Sequence, residues 1–341
     1  MMNKSIMIHV KNNDQIDDYA YYLKNGYSEE KKYSKEIRYM IEEFITHDWN
    51  VYLISLDNID MEKAIWSNVY HVNHDRKVHF SLEEVNEKID VIIVRVLGSV
   101  EGNFNNIKKY LMFLEKNYKG LVLNNPKAMQ RGMTKKYLTE IDRNYLESIH
   151  IKTIPTKIYS NQVSYLQLIK DYDEIDKYLI KPVSGELSNS LSNLASIDEE
   201  WLRYKESKVL GWVVQPIQKE IWNGEYQISF LDKEVVYAQK KNYSNNQNNI
   251  PNQKTRILEK YYPTSTEVDK FKKLIDYFCN LYHIHIDICR IDFMKDDTGM
   301  PILLEFDMVN PGFFIGYMDE RDNSIVNIVR SIREYCENKL A

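Results

Sequence analysis

Ile288-Cys-Arg-Ile-Asp-Phe-Met294 and Pro301-Ile-Leu-Leu-Glu-Phe306, joined by Lys295-Asp-Asp-Thr-Gly299, decide how this chain is read. Both flanks are short and apolar, and the polar turn between them predicts two paired strands. Asp292 ends the first strand and Glu305 the second. Asp307 stands two residues after Glu305, so its side chain points to the same face of an extended chain. Three carboxylates converging at strand ends repel one another unless a cation lies among them. Mg²⁺ takes carboxylate oxygens together with phosphate oxygens, so the arrangement suits a nucleotide site. The plain alternative is three solvated turn acids; their spacing and apolar flanks argue for the metal.

Two lysines extend this reading. Lys181 closes the strand Tyr178-Leu-Ile-Lys-Pro182, and a lysine at the end of a buried strand is costly unless it meets an anion. Lys135 falls in the first turn of a helix predicted to begin near Thr134, where the helix dipole does not favour a cation. Taken singly, each reads more readily as a surface lysine. The loop Ser184-Gly-Glu-Leu-Ser-Asn-Ser190, with Ser188 within it, can offer amides and hydroxyls to phosphates, although it has one glycine. Gln215-Pro-Ile-Gln218 follows the apolar Trp212-Val-Val214 and could present backbone groups to an adenine edge. His283 and His285 alternate, but a polar helix-to-strand junction explains them better than a metal pair. No Ser-His-Asp or Cys-His set, dinucleotide fingerprint or Walker A pattern is present.

Outward from these residues the chain falls into two grammars. The first third alternates strands and helices. Ser5–Val10, Val51–Ser55, Asp90–Arg95 and Leu121–Leu123 read as strands. Tyr33–Asp48 reads as a helix with Ile37, Met40, Ile41 and Phe44 on one face, and Phe104–Asn117 as another. This predicts a mostly parallel, open α/β sheet. Asn124-Asn-Pro126 is a breaker and a boundary. Ile151–Ile158 is extended, with Pro155 demoting it to an edge. From Tyr178 onward the pattern turns antiparallel: Trp212–Pro216, then a hairpin of Tyr226–Leu231 and Glu234–Lys240 about Asp232-Lys233. Asn242–Gln253 is too polar to bury and is expected to be a mobile loop. A helix over Thr266–Tyr282 precedes the paired strands, and Asn323–Asn338 closes the chain as a helix.

Composition sets the class. The chain has 341 residues, 43% hydrophobic and 28% charged, enough for two or three domains with their own cores. Lys+Arg is 45 against Asp+Glu 50, a net charge of −5, which argues against nucleic acid as a partner. No apolar run reaches the length of a membrane span, and Met1–Val10 is too short for a signal peptide. The three cysteines, Cys279, Cys289 and Cys336, form no spaced pair, so a disulfide framework is not expected and a cytoplasmic location is.

In this order, the pieces resemble the ATP-grasp superfamily, and within it the bacterial glutathione synthetase-like carboxylate–amine ligases, from about Asp90 to the C-terminus. Asn125-Pro-Lys-Ala128 followed by Lys135 resembles the family's first phosphate-lysine stretch, and Tyr178–Pro182 the second. Val214-Gln-Pro-Ile217 is similar to the hinge that grips adenine, which gives Gln215, Pro216 and Ile217 that role. Asn223-Gly-Glu-Tyr-Gln227 is similar to a G-D-x-R stretch, placing Glu225 toward ribose. Thr255-Arg256 resembles a segment near the transferred phosphate. Cys289–Phe293 and Leu304–Asp307 resemble the metal strands, and Asn310-Pro-Gly312 the substrate loop. Val94-Arg95 and Gly98-Ser99 resemble the N-domain segment that reaches the acceptor site. The chain departs from the pattern at Gln227 (usually Arg), at Asp307 (usually Asn), in its glycine-poor phosphate loop, and at Tyr261-Tyr262, where a double glycine is common.

The resemblance implies an N-terminal open parallel α/β domain (1–124) and a two-lobed ATP-grasp domain, with the phosphate loop in the first lobe (125–214) and the metal site in the second (215–341). It implies ATP with Mg²⁺, or Mn²⁺ in its place. Phosphoryl transfer to a carboxylate is followed by attack of an amine. Lys135 and Lys181 would hold phosphates. Arg256 and Lys241 would stabilise the transferring group, and Arg95, Ser99, Asn310 and Gly312 would meet the substrate. The expected partners are a small-molecule carboxylate and an amine, amino acids or a short peptide. A homo-oligomer is left open. Two alternatives stay open as well: ligation onto a peptide or protein side chain, and a nucleotide-binding module that has lost catalysis.

Overall fold

A computed structural model of the chain describes residues 4–26, 34–95, 97, 100, 102–184, 191–206, 208–243, 256–309, 311–312 and 324–341. It divides into two compact units, one of Met1–Gly98, Asn105–Met129 and Gly312–Ala341, the other of Ser99–Phe104 and Gln130–Pro311. No helix among the described residues is long and apolar enough to cross a membrane.

The first unit is built on β1 (Ser5–Val10), α1 (Asn13–Asn25), α2 (Lys35–Thr46), β2 (Asn50–Ser55), β3 (Ile59–Asp60), β4 (Ile65–His71), β5 (Arg76–Ser81), α3 (Leu82–Lys88), β6 (Val91–Ile93), α4 (Phe104–Asn117) and β7 (Leu121–Leu123). The sheet order is β3-β4-β2-β1-β6-β7, with β5 on β4. The β2-β1-β6-β7 half is parallel, as the strand–helix alternation predicts. The antiparallel meander β3-β4-β5 on its edge is absent from the sequence reading. A register shift between Trp66 and Val69 breaks the alternation of β4, and β5 buries Phe80 alone, so the period-2 signal is faint. The predicted helical face is the one that packs: Ile37, Met40, Ile41 and Phe44 are the buried residues of α2, and Ser34 Oγ caps its first turn.

The second unit holds two sheets. Its elements are α5 (Pro126–Gly132), α6 (Tyr137–Glu140), α7 (Arg143–Ser148), β8 (Lys152–Thr153), β9 (Lys157–Ser160), α8 (Tyr165–Ile169), β10 (Tyr178–Pro182), β11 (Ser192–Asn193), α9 (Glu199–Glu206), β12 (Gly211–Pro216), β13 (Glu225–Leu231), β14 (Glu234–Asn242), β15 (Ile257–Lys260), α10 (Ser265–Tyr282), β16 (Ile288–Lys295) and β17 (Pro301–Asp307). An antiparallel sheet runs β11-β10-β12-β9, and a second sheet runs β15-β14-β13-β16-β17-β8. Pro155 lies between β8 and β9, where the chain leaves one sheet for the other, so the lost backbone donor interrupts no ladder. Asp232 and Lys233 both have positive φ, 46° and 67°, the backbone a two-residue hairpin turn requires. Helix α10 opens with a reciprocal capping box of Thr264 and Glu267, and His283, at φ 51°, ends it. His285 meets Asp232 and Asp287. Both histidines serve the helix-to-strand junction, as their sequence context indicates.

Helix α11 (Ser324–Leu340) belongs to the first unit, not to the lobe drawn over 215–341. Its Arg333 donates to Glu43 of α2 at 2.9 Å, and its apolar face is buried through Ile325, Ile328, Val329 and Ile332. The helix predicted from Thr134 also starts later. Lys135 sits in a turn, and α6 begins at Tyr137 with no side-chain cap. Asn242 belongs to β14 and Tyr243 is buried, so neither is part of a mobile loop. The remainder of that predicted loop lies outside the described residues.

Candidate active site

The β16–β17 register builds the centre. Asp292 pairs with Glu305 and Arg290 with Asp307, and residues two apart share a face, so four ionisable side chains project from one side of the sheet. Arg290 holds Asp292 with two bonds, Nε to Oδ1 at 2.6 Å and Nη2 to Oδ2 at 3.0 Å. It also lies 3.6 Å from Asp307. Burial opposes the Arg290 charge, but Asp292 and Asp307 outweigh it and hold the guanidinium firmly protonated. Burial pushes the Asp292 carboxyl above its usual range against the pull of Arg290 and Lys241.

Lys135 reaches the same centre from its turn, with Nζ 3.1 Å from Glu305. Its backbone N–H donates to Val183 O at 2.8 Å, fixing the turn to the end of β10. Burial works to raise the Glu305 carboxyl, but Lys135, Lys181 and Arg290 together outweigh it and hold it down to about 2. Tyr137, buried beside this pair, accepts from Phe306 N at 3.0 Å, the amide between Glu305 and Asp307.

Lys181 stands apart in having no hydrogen-bond or ion-pair partner among the described residues, and burial lowers its ammonium to about 8 despite the nearby Glu305. A partly buried cation without a counter-ion is the feature to expect where an external anion binds.

A second buried cluster lies on the same sheet. Lys241 Nζ donates to Glu225 Oε1 at 2.8 Å, and Tyr243 Oη to Glu225 Oε2 at 2.6 Å. Burial works against the Glu225 charge, and Lys241 and Tyr243 overcome it to keep the carboxyl below its usual range. Gln227 Nε2 bridges to Asp292 Oδ2 at 2.6 Å and Glu225 Oε1 at 3.1 Å. At the hinge, Gln215 is buried and donates to Thr156 Oγ1 at 2.8 Å. Pro216 ends β12. The Ile217 N–H donates to Lys177 O at 2.8 Å, so that amide is already committed.

The structure thus gathers Lys135, Lys181, Glu225, Lys241, Asp292, Glu305 and Asp307 on or beside one sheet face. Arg256 immediately precedes β15. Arg95 belongs to the first unit, where its guanidinium pairs with Glu36 of α2 at 2.5 Å. Gly312 is in the first unit as well. Ser99, Ser188 and Asn310 lie outside the described residues. Sequence reasoning missed Arg290, although the alternation Arg290-x-Asp292 was the available signal. It also missed Tyr137 and Tyr243, whose roles depend on distant partners.

Among the described residues no three His, Cys, Asp or Glu side chains gather as a ready metal site. Lys135 stands against Glu305, and Arg290 against Asp292 and Asp307. The donor chemistry still fits Mg²⁺. Glu305 is firmly ionised with its side chain 34% exposed, and Asp307 is 19% exposed, so hard oxygen ligands stand at the wetter edge of the cluster.

Neither a protein-family model nor a curated protein sequence matches the chain. Solved structures do. D-cycloserine synthetase DcsG is similar over 97% of this chain and 99% of its own, at 11% identity and a TM-score of 0.67. D-alanine–D-alanine ligase from Bacillus anthracis is similar over 99% and 98%, at 13% identity and a TM-score of 0.62. A RiPP-associated ATP-grasp ligase from Chryseobacterium gregarium, in complex with ADP and a leader and core peptide, is similar over 98% and 97%, at 13% identity and a TM-score of 0.55. Likeness of that extent, end to end on both sides, with the two sheets and the polar face described above, means that this chain has the ATP-grasp fold.

Proposed function

We infer that the protein is an ATP-dependent ligase that joins a carboxylate to an amine through an acyl phosphate, releasing ADP. The observation that carries this reading is Lys181, a partly buried ammonium with no partner among the described residues and a pKa lowered to about 8 beside Lys135 and Glu305. A phosphate is the complement such a group lacks. Charge balance supports it. Lys135, Lys181, Lys241 and Arg290 offset Glu225, Asp292, Glu305 and Asp307, four against four. A fully ionised ATP with two Mg²⁺ is also neutral, so it adds no net charge to a buried face.

In this reading Lys135 and Lys181 orient the phosphates. Glu305 and Asp307, with Asp292, would hold Mg²⁺, or Mn²⁺, which neutralises charge on the phosphates when bound. Arg290, Lys241 and Arg256 stabilise the acyl phosphate and its flanking transition states. Glu225 holds Lys241 in place, and Gln215, Pro216 and Ile217 form the adenine edge. The reaction balances simply: the carboxylate oxygen takes the γ-phosphoryl group of ATP, the amine nitrogen displaces phosphate, and the amine proton leaves to solvent. The test is ATP consumption with pooled amino acids and with short peptides, with hydroxylamine added to trap an acyl phosphate as the hydroxamate. ADP and a hydroxamate are expected. AMP as the product, or ATP loss without any trapped acid, overturns the reading. Turnover with peptides alone would assign a peptide acceptor.

A further inference from the structure

Strand register sets a polar row across the second sheet. Gln239 on β14 pairs with Gln227 on β13, Gln227 with Asp292 on β16, and Asp292 with Glu305 on β17. Gln227 Nε2 donates to Asp292 Oδ2 at 2.6 Å and to Glu225 Oε1 at 3.1 Å, while its Oε1 accepts from Gln239 Nε2 at 2.7 Å. Both glutamines are 1% exposed.

The direction of this chain of bonds is dictated by its ends. Asp292 Oδ2 and Glu225 Oε1 already accept from Arg290 and Lys241, so Gln227 turns its NH₂ group toward them and spends both hydrogens there. Its carbonyl must then accept, so Gln239 must present its own NH₂. That leaves Gln239 Oε1 with no partner among the described residues. A glutamine chosen only to fill space would be free to flip and satisfy that oxygen. Here the orientation is kept and the orphaned acceptor is its consequence.

The result is that two buried carboxylates are each held by three donors and share one of them. Asp292 receives Arg290 Nε, Arg290 Nη2 and Gln227 Nε2. Glu225 receives Lys241, Tyr243 and Gln227. We propose that Gln227 is a positioning residue that ties Asp292 to Glu225, fixing the metal-side carboxylate relative to the one that carries Lys241, and that Gln239 sets the orientation of Gln227. The inference rests on the ligase reading and deepens it. Gln227 performs this task without a charge of its own, so it adds no cation to compete for Asp292.

The test uses the full chain with ADP present and measures Mn²⁺ binding by electron paramagnetic resonance, with thermal midpoints alongside. Gln227→Met keeps the length of the side chain and removes both donors. It should weaken Mn²⁺ binding about tenfold, the scale of losing a group that orients a metal ligand. Gln239→Leu removes the donor to Gln227 together with the orphaned acceptor. It should weaken Mn²⁺ binding several-fold while the thermal midpoint stays level or rises. Mn²⁺ affinity unchanged in both variants overturns the inference alone. So does a loss of affinity in Gln239→Leu that comes with a matching fall in the midpoint, since that is a packing defect. A wild-type chain that binds neither ADP nor Mn²⁺ overturns the ligase reading, and the inference with it.

Discussion

Replacing Lys181 with methionine should strengthen the empty protein and weaken its hold on nucleotide. Methionine keeps the length of the side chain and discards the charge. In the folded chain burial lowers the Lys181 ammonium from 10.5 to about 8. At pH 7 the group is charged in both folded and unfolded chains, so the folded state bears the full penalty of a desolvated cation. As pH rises through about 8 the folded chain sheds the proton first, and that penalty fades. At 1.36 kcal/mol per pKa unit the shift sets an upper bound of about 3 kcal/mol, and water at the partly exposed end reduces it to about 1–2 kcal/mol. Lys181→Met should therefore raise the thermal midpoint at pH 7 by about 2–4 °C per kcal/mol recovered, and the gain should vanish by about pH 10. Nucleotide binding should move the other way. Losing a charge-assisted bond costs about 1.5–3 kcal/mol, or roughly 10- to 150-fold in affinity. Phosphate favours the charged lysine, so wild-type affinity should fall by up to about tenfold per unit as pH climbs above 8, while the variant stays flat. Calorimetric titration with a non-hydrolysable ATP analogue between pH 7 and 9.5, paired with thermal melts, reads both effects. A lower midpoint at pH 7, or unchanged affinity, would refute the argument that Lys181 awaits an anion.

Glu305→Gln keeps the shape and removes the firmly ionised carboxylate, so ATP consumption should drop by orders of magnitude while far-ultraviolet dichroism is unchanged; wild-type turnover would place the metal elsewhere. Asp307→Asn keeps the oxygen that accepts from Val309 N at 3.1 Å and loses only charge, so turnover against Mg²⁺ concentration should persist with a shifted optimum. Arg290→Met leaves Asp292 buried without its main counter-ion, at a cost of about 3–5 kcal/mol in denaturant melts at pH 7. That loss should shrink in acid, where a neutral Asp292 no longer needs a partner, and a pH-independent loss would count against the pairing.

Much of the fold was legible because it is written in local chemistry. The α2 face and the β13–β14 hairpin about Asp232 and Lys233 follow from periodicity and turn geometry within a few residues. The β3–β5 meander was not legible, since a register shift interrupts the alternation of β4 and β5 buries one residue. The start of the helix after Thr134 was misplaced because Lys135 is held by Val183, nearly fifty positions away, and no local signal reports that bond.

The sequence alone determined that Asp292, Glu305 and Asp307 share a face, since alternation in paired strands depends only on spacing and a turn. It also placed Lys181 at a strand end and Glu225 near the start of a hairpin. What those charges do was decided by tertiary structure. Lys135 comes from a turn, Lys241 from β14, Tyr243 from just beyond it and Arg290 from β16, and the assembled sheet makes them neighbours of the carboxylates. Coulomb energy at a buried site depends on distance and dielectric, and neither is a property of sequence spacing. For that reason the convergence of acids was visible in the sequence, while the basic groups that neutralise them, and Lys181 beside them, emerged only once the sheets were assembled.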